Sequence, residues 1–145
     1  MIVALSFWFL MLICCGFAAA FGGRSGRAIA LVYTLNVIAT WLVTGNAEAW
    51  RNPHLAAMLV DTALLIALIW IALRSDRWFP IWFAGLHLVA TLSHLASALA
   101  PGFAPKIYFL LQSLWSLPML VILVLGVARD RIRGVRDERS IPPAP

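Results

Sequence analysis

Five residues able to hold a proton or a hydrogen bond, Asn36, Asp61, His87, His94 and Gln112, lie inside long apolar runs. If those runs sit in lipid, each of these side chains must face protein, water or a cofactor, because hydrocarbon offers no partner. A charged aspartate at the centre of a membrane helix costs about 2.5–3.5 kcal/mol on insertion scales, so Asp61 should be paired or protonated. Asp61 and His94 together would make a carboxylate–imidazole pair able to take and release a proton, with Gln112 lining its path. The alternative is purely structural: polar contacts between membrane helices contribute only about 0.6 kcal/mol on average and are common.

The fourth apolar run carries the clearest pattern. Ala84, His87, Thr91, His94 and Ala98 recur at alternating steps of three and four, which is one seam of a helix. Small and polar residues on a seam, with Phe83, Leu86, Leu88 and Leu92 elsewhere, imply close packing on another helix. Tyr33, Asn36 and Thr40 repeat the pattern in the second run, so these two helices are expected to face the bundle interior. At a rise of ~1.5 Å per residue, Asp61, His94 and Gln112 fall roughly 8–9 Å below one set of helix ends, and His87 and Asn36 about 11–12 Å from the other. Two polar layers are therefore expected.

Two histidines on one helix face also suggest haem, and a redox or quinone-linked component is a second alternative. Residues seven apart lie ~10 Å apart along the axis, too far to clamp one iron. The remaining histidine, His54, falls at the rim of the third run. No metal site, and no cofactor other than that haem alternative, is expected. Cys14 and Cys15 are sequence neighbours in an apolar run, which suits two buried thiols rather than a zinc site or a disulfide framework. There is no Walker loop, H-E-x-x-H, G-x-S-x-G or CxxC, so hydrolase and nucleotide-driven chemistry have no motif behind them and no catalytic residue is assigned.

The elements that must position these residues follow from composition. Of 145 residues, 63% are hydrophobic and 12% charged, too apolar a balance for a soluble domain of this size to bury. A helix needs about 20 apolar residues to cross the hydrocarbon, and such stretches fall at about 2–21, 28–45, 55–73, 79–99 and 107–127. The expected fold is all-α, a polytopic transmembrane bundle of five spans over 1–128 with a basic cytoplasmic tail over 129–145. Turn chemistry separates the spans at 22–27, 45–53, 74–77 and 100–106. Pro53, Pro80 and Pro105 fall near helix starts, where a missing N–H costs nothing. Pro118 inside the fifth span should free the carbonyl of Leu114 and bend that helix. No internal repeat or pair of broken helices is visible.

Direction follows from the basic residues. With the N-terminus outside, the inner segments hold nine of the eleven, Arg24, Arg27, Arg74, Arg77, Arg129, Arg131, Arg133, Arg136 and Arg139; the outer ones hold Arg51 and Lys106. The expectation is N-terminus outside and C-terminus cytoplasmic. The net charge of +5 then reads as topology and headgroup contact, with Arg74, Arg77, Arg129, Arg131 and Arg133 as headgroup ligands, rather than as a nucleic-acid surface. Ala18-Ala19-Ala20 resembles a signal-peptide cleavage site, but no basic residue precedes the run, so an uncleaved span is preferred. Trp50, Trp78 and Trp82 near span ends suit interfacial anchors. In the hairpin Leu73–Pro80, Ser75 or Asp76 is read as a helix cap. The tail from Arg129 should lie as a short helix at the headgroups, with an extended end over 140–145.

The run Leu73-Arg74-Ser75-Asp76-Arg77-Trp78-Phe79-Pro80-Ile81-Trp82, followed by the histidine helix through Ser93-His94-Leu95, resembles small uncharacterised bacterial multi-pass inner-membrane proteins. The likeness covers roughly the third to fifth spans and implies a bacterial inner-membrane location. It carries no activity. Taken together, the sequence points first to a non-enzymatic integral membrane protein, an accessory or assembly subunit packing laterally against other membrane subunits or copies of itself. The alternative is a small oligomeric proton-linked transporter or channel using Asp61 and His94.

Overall fold

The computed structural model describes residues 2–44, 55–99 and 114–135, without the side chains of 2–4 and 97–99. The regular structure among the described residues is all α-helix: α1 (Ile2–Phe21), α2 (Gly23–Thr44), α3 (Leu55–Leu73), α4 (Phe79–Leu99) and α5 (Ser116–Ile132). Gly23–Thr44, Leu55–Leu73 and Phe79–Ala96 are each long and apolar enough to cross a membrane, and Leu5–Phe21 is a shorter apolar helix. These are the marks of a membrane protein.

The helices close into a ring in chain order. α1 packs on α2, α2 on α3, α3 on α4, α4 on α5, and α5 returns to α1. Inside the ring, Met11, Ala18, Ile29, Leu68, Phe79, Phe83, Leu123 and Val127 are fully buried. Outside it, Phe9, Leu35, Leu42, Ile66, Trp70, Ile81 and Leu125 are exposed. Exposed apolar side chains spread over α1 to α5 would be a solubility failure in water and are what a lipid-facing wall requires.

Three junctions differ from expectation. The connection read over 22–27 is a single residue, Gly22. Gly22 N–H still bonds back to Ala18 O at 2.7 Å and Gly26 N–H to Gly22 O at 3.0 Å. Gly23, at φ 61°, takes the left-handed backbone that glycine enters without strain, so the chain reverses at once. Arg24 and Arg27 therefore ride on the first turns of α2.

The fifth helix ends later than expected. Its described part starts at Ser116, directly after a turn at Trp115, with Pro118 in its first turn; the expected stretch 107–113 lies outside the described residues. α5 then runs through Arg129 to Ile132, five residues past the expected end at 127. It stops in a Schellman turn: Val135 N–H bonds Asp130 O at 3.0 Å and Gly134 N–H bonds Arg131 O at 3.1 Å, with Gly134 at φ 61°.

Ser75 is not the cap of α4 either. Its hydroxyl accepts from Arg77 N–H at 3.3 Å, two residues before the helix starts at Phe79. Gln112, His54, Trp50, Arg51, Lys106 and the tail beyond Val135 lie outside the described residues.

Candidate functional site

Asp61 sits in the second turn of α3, facing inward with Ala57, Leu64, Leu68 and Ile71. That face is set by the three- and four-residue spacing of its small and branched residues, which turns Leu59 and Ile66 outward. On α4 the seam foreseen from sequence is turned inward, with Ala84, His87 and His94 buried and Thr91 half-buried, but Phe83, which the sequence placed off that seam, is fully buried as well. The third wall is α2, which presents Asn36 one turn beyond the buried Tyr33.

The three walls meet at the Asp61 carboxyl. His94 Nε2 lies 2.6 Å from Oδ2, and Asn36 Nδ2 donates to Oδ1 at 3.0 Å. His87 Nε2 donates to the Asp61 backbone carbonyl at 3.0 Å. That carbonyl has a second lone pair beyond its helical bond, so His87 can add a contact without unwinding α3. Thr91 meanwhile returns its hydroxyl to His87 O at 2.9 Å, which settles a polar group on the seam within its own helix.

Asp61 and His94 thus meet as read from sequence, while Asn36 and His87 do not form a separate layer. Depth counted along single helices missed this because each helix was measured from its own end, whereas Asn36 and Asp61 meet side chain to side chain. Both histidines direct Nε2 at Asp61 rather than at a shared point. Among the described residues no group of three or more His, Cys, Asp or Glu side chains converges as metal ligands do.

A second buried polar site closes the opposite end of the bundle. Arg77 Nη1 lies 3.1 Å from Asp130 Oδ2 with both side chains buried. The same nitrogen points at Gly22 O, 3.5 Å away, and Ser25 Oγ meets Ser75 Oγ at 2.8 Å. The α1–α2 turn, the α3–α4 turn and the end of α5 are tied together there. Of the five arginines read as headgroup ligands, Arg77 is therefore turned inward. The sequence reading overlooked Asp130; its one signal is an acid beside a helix C-terminus, where the helix dipole disfavours negative charge.

Three other arginines lie against aromatic rings at this same end. Arg74 stacks over Trp70 at 4.2 Å, Arg129 over Trp78 at 5.4 Å and Arg131 over Phe21 at 4.0 Å. Arg74, Arg129, Arg131 and Arg133 are exposed, so they can present cations to a polar boundary. Cys14 and Cys15 are free and buried on the α1 face that carries Met11 and Ala18.

No protein-family model, no curated protein and no solved structure matches the chain.

Proposed function

We propose that this chain is a five-span bacterial inner-membrane protein, N-terminus outside and C-terminus cytoplasmic, whose interior Asp61–His94 pair handles protons in a small oligomeric transporter or channel. One observation carries the reading: a carboxyl and an imidazole 2.6 Å apart, buried where three helices converge. A carboxylate and an imidazole share a proton readily and release it in either direction, which a structural amide pair does not do. The nine-to-two division of basic residues and the arginine-rich end formed by the α1–α2 and α3–α4 turns support the orientation.

The test is pH-driven flux in proteoliposomes. Asp61→Asn keeps the shape and hydrogen-bonding reach of the side chain and removes its exchangeable carboxyl proton. Flux should vanish while the purified variant keeps its helicity and elution volume. Absence of flux in the native protein under every imposed gradient would remove the reading.

A second reading is favoured by the outer wall. Exposed Leu, Ile and Trp side chains on several helices suit lateral packing of an accessory subunit against other membrane helices. Mild-detergent pull-down followed by mass analysis tests it, and recovery of this chain alone counts against it.

A further inference from the structure

On α2, Tyr33, Asn36, Thr40 and Thr44 follow one another at steps of three, four and four, a single helix face. Thr44 is buried near the end of the helix, and its hydroxyl donates to Thr40 O at 2.6 Å. Along this face the side-chain atoms Asn36 Oδ1 and Thr40 Oγ1 are both shut off from the surface and have no protein partner among the described residues. Asn36 spends its amide nitrogen on Asp61, so its oxygen is the atom left over.

Two such atoms one helical turn apart are about 5–6 Å from each other at Cβ, a gap one water can bridge. A buried polar atom left unsatisfied is costly, whereas an internal water restores most of its hydrogen bonding. From Thr44 to Asn36 the face runs eight residues, roughly 12 Å at the helical rise.

The other side of Asp61 is sealed. Tyr33 packs edge-on against Phe83 with ring centroids 5.5 Å apart. Ile29, Leu64, Leu68, Phe79 and Leu123 lie beyond in the buried core. These groups offer water no polar partner once past Tyr33.

We infer that the Asn36–Thr40–Thr44 face of α2 is a hydrated half-path, occupied by water, that opens the Asp61–His94 pair to one side of the membrane only. The inference deepens the proton-handling reading, since it gives the pair its access side, but its evidence is the α2 face and not the pair. Water enters beside Thr44 and reaches the Asn36–Asp61 contact; the Tyr33–Phe83 pair and the core beneath it stop it there. Under the orientation proposed above the open side is the outside.

Cysteine accessibility tests this without reference to transport. A small charged thiosulfonate reacts with the thiolate, which forms only in contact with water. Thr40→Cys should label in sealed membranes at least about tenfold faster than Ile38→Cys, because Ile38 is at matching depth on the lipid side and its thiol stays protonated. The unsubstituted protein, with Cys14 and Cys15 buried, sets the background. Labelling should proceed from the Thr44 side and not from the other. Thr44→Cys repeats the measurement should Thr40→Cys fail to fold.

Equal slow labelling at positions 38, 40 and 44 overturns the path, and so does equal access from both sides. If Thr40→Cys labels from one side while no flux is found, the path stands and the transport reading falls. If flux depends on Asp61 and neither threonine position labels, transport stands and the path falls.

Discussion

Asp61 and Asp130 are buried carboxylates in one bundle, and they meet opposite kinds of partner. Asp130 faces Arg77, a planar guanidinium that offers hydrogen-bond donors and no acceptor. The Asp61 carboxyl faces the His94 imidazole, which can gain, lose or pass a proton, and the Asn36 amide, with His87 on the backbone carbonyl of the same residue. Position sharpens the contrast. Arg77 and Asp130 join three chain segments at the end where the helices turn. Asp61 lies two turns inside α3, with a polar face of α2 running away from it. One site ties the ends of the ring of helices together and the other sits inside it.

The largest effect separating the two should come from the clamp. Arg77→Ala leaves Asp130 buried and unpaired, a loss of about 3–5 kcal/mol, read as a large fall in thermal stability in detergent. Replacing both partners, Arg77→Met with Asp130→Leu, should recover most of that loss, since an apolar pair needs no compensation. If the single change is silent, the end of the bundle is not held by this pair.

A smaller loss is expected at Gly126, where a Cβ would collide with Phe79. Gly126→Ala must push α5 away from α4 and should cost about 1–3 kcal/mol. Because α5 carries Asp130 and α4 carries both histidines, the same variant tests whether the two polar sites are coupled through that contact. Unchanged flux with lowered stability would show them independent.

At the inner cluster the stability effects shrink while the functional ones grow. Asn36→Leu removes one interhelical bond and should cost about 0.6 kcal/mol, within a range reaching about 1.7. Asp61→Asn should cost a similar amount yet abolish flux, reversing the order seen at the clamp. The smallest change is Arg74→Gln: an exposed guanidinium over Trp70 contributes about 0.5–1 kcal/mol, so melting should hardly move. A strong loss there would mean that the arginine–aromatic stacks, and not the buried clamp, hold that end.

Parts of this were legible in residue order. The seam Ala84, His87, Thr91, His94 could be drawn from spacing because a helix repeats every 3.6 residues whatever surrounds it. His94 could be matched to Asp61 because both lie about the same distance from helix ends that must share a membrane face. The Arg77–Asp130 pair was not legible in the same way. Fifty-three residues separate its members, and each has an ordinary local reading, a topology arginine and a tail acid. Only the closure of α5 onto α1 and α4 brings them together. The one-residue turn at Gly22 was hidden for a related reason: a run of glycine, serine and arginine reads as loop, and helical order there depends on the packing of α2 against α1.

By itself the amino-acid order determined that this chain forms long apolar helices and that the Ala84–His94 seam of α4 turns inward, because both follow from transfer energies and helical period acting within one segment. The tertiary structure alone decided that Asn36 and His87 join Asp61 and that Arg77 is drawn away from the boundary into the bundle. Contacts between segments depend on offset and crossing, which are set by how facing side chains interlock, and no single helix contains that information.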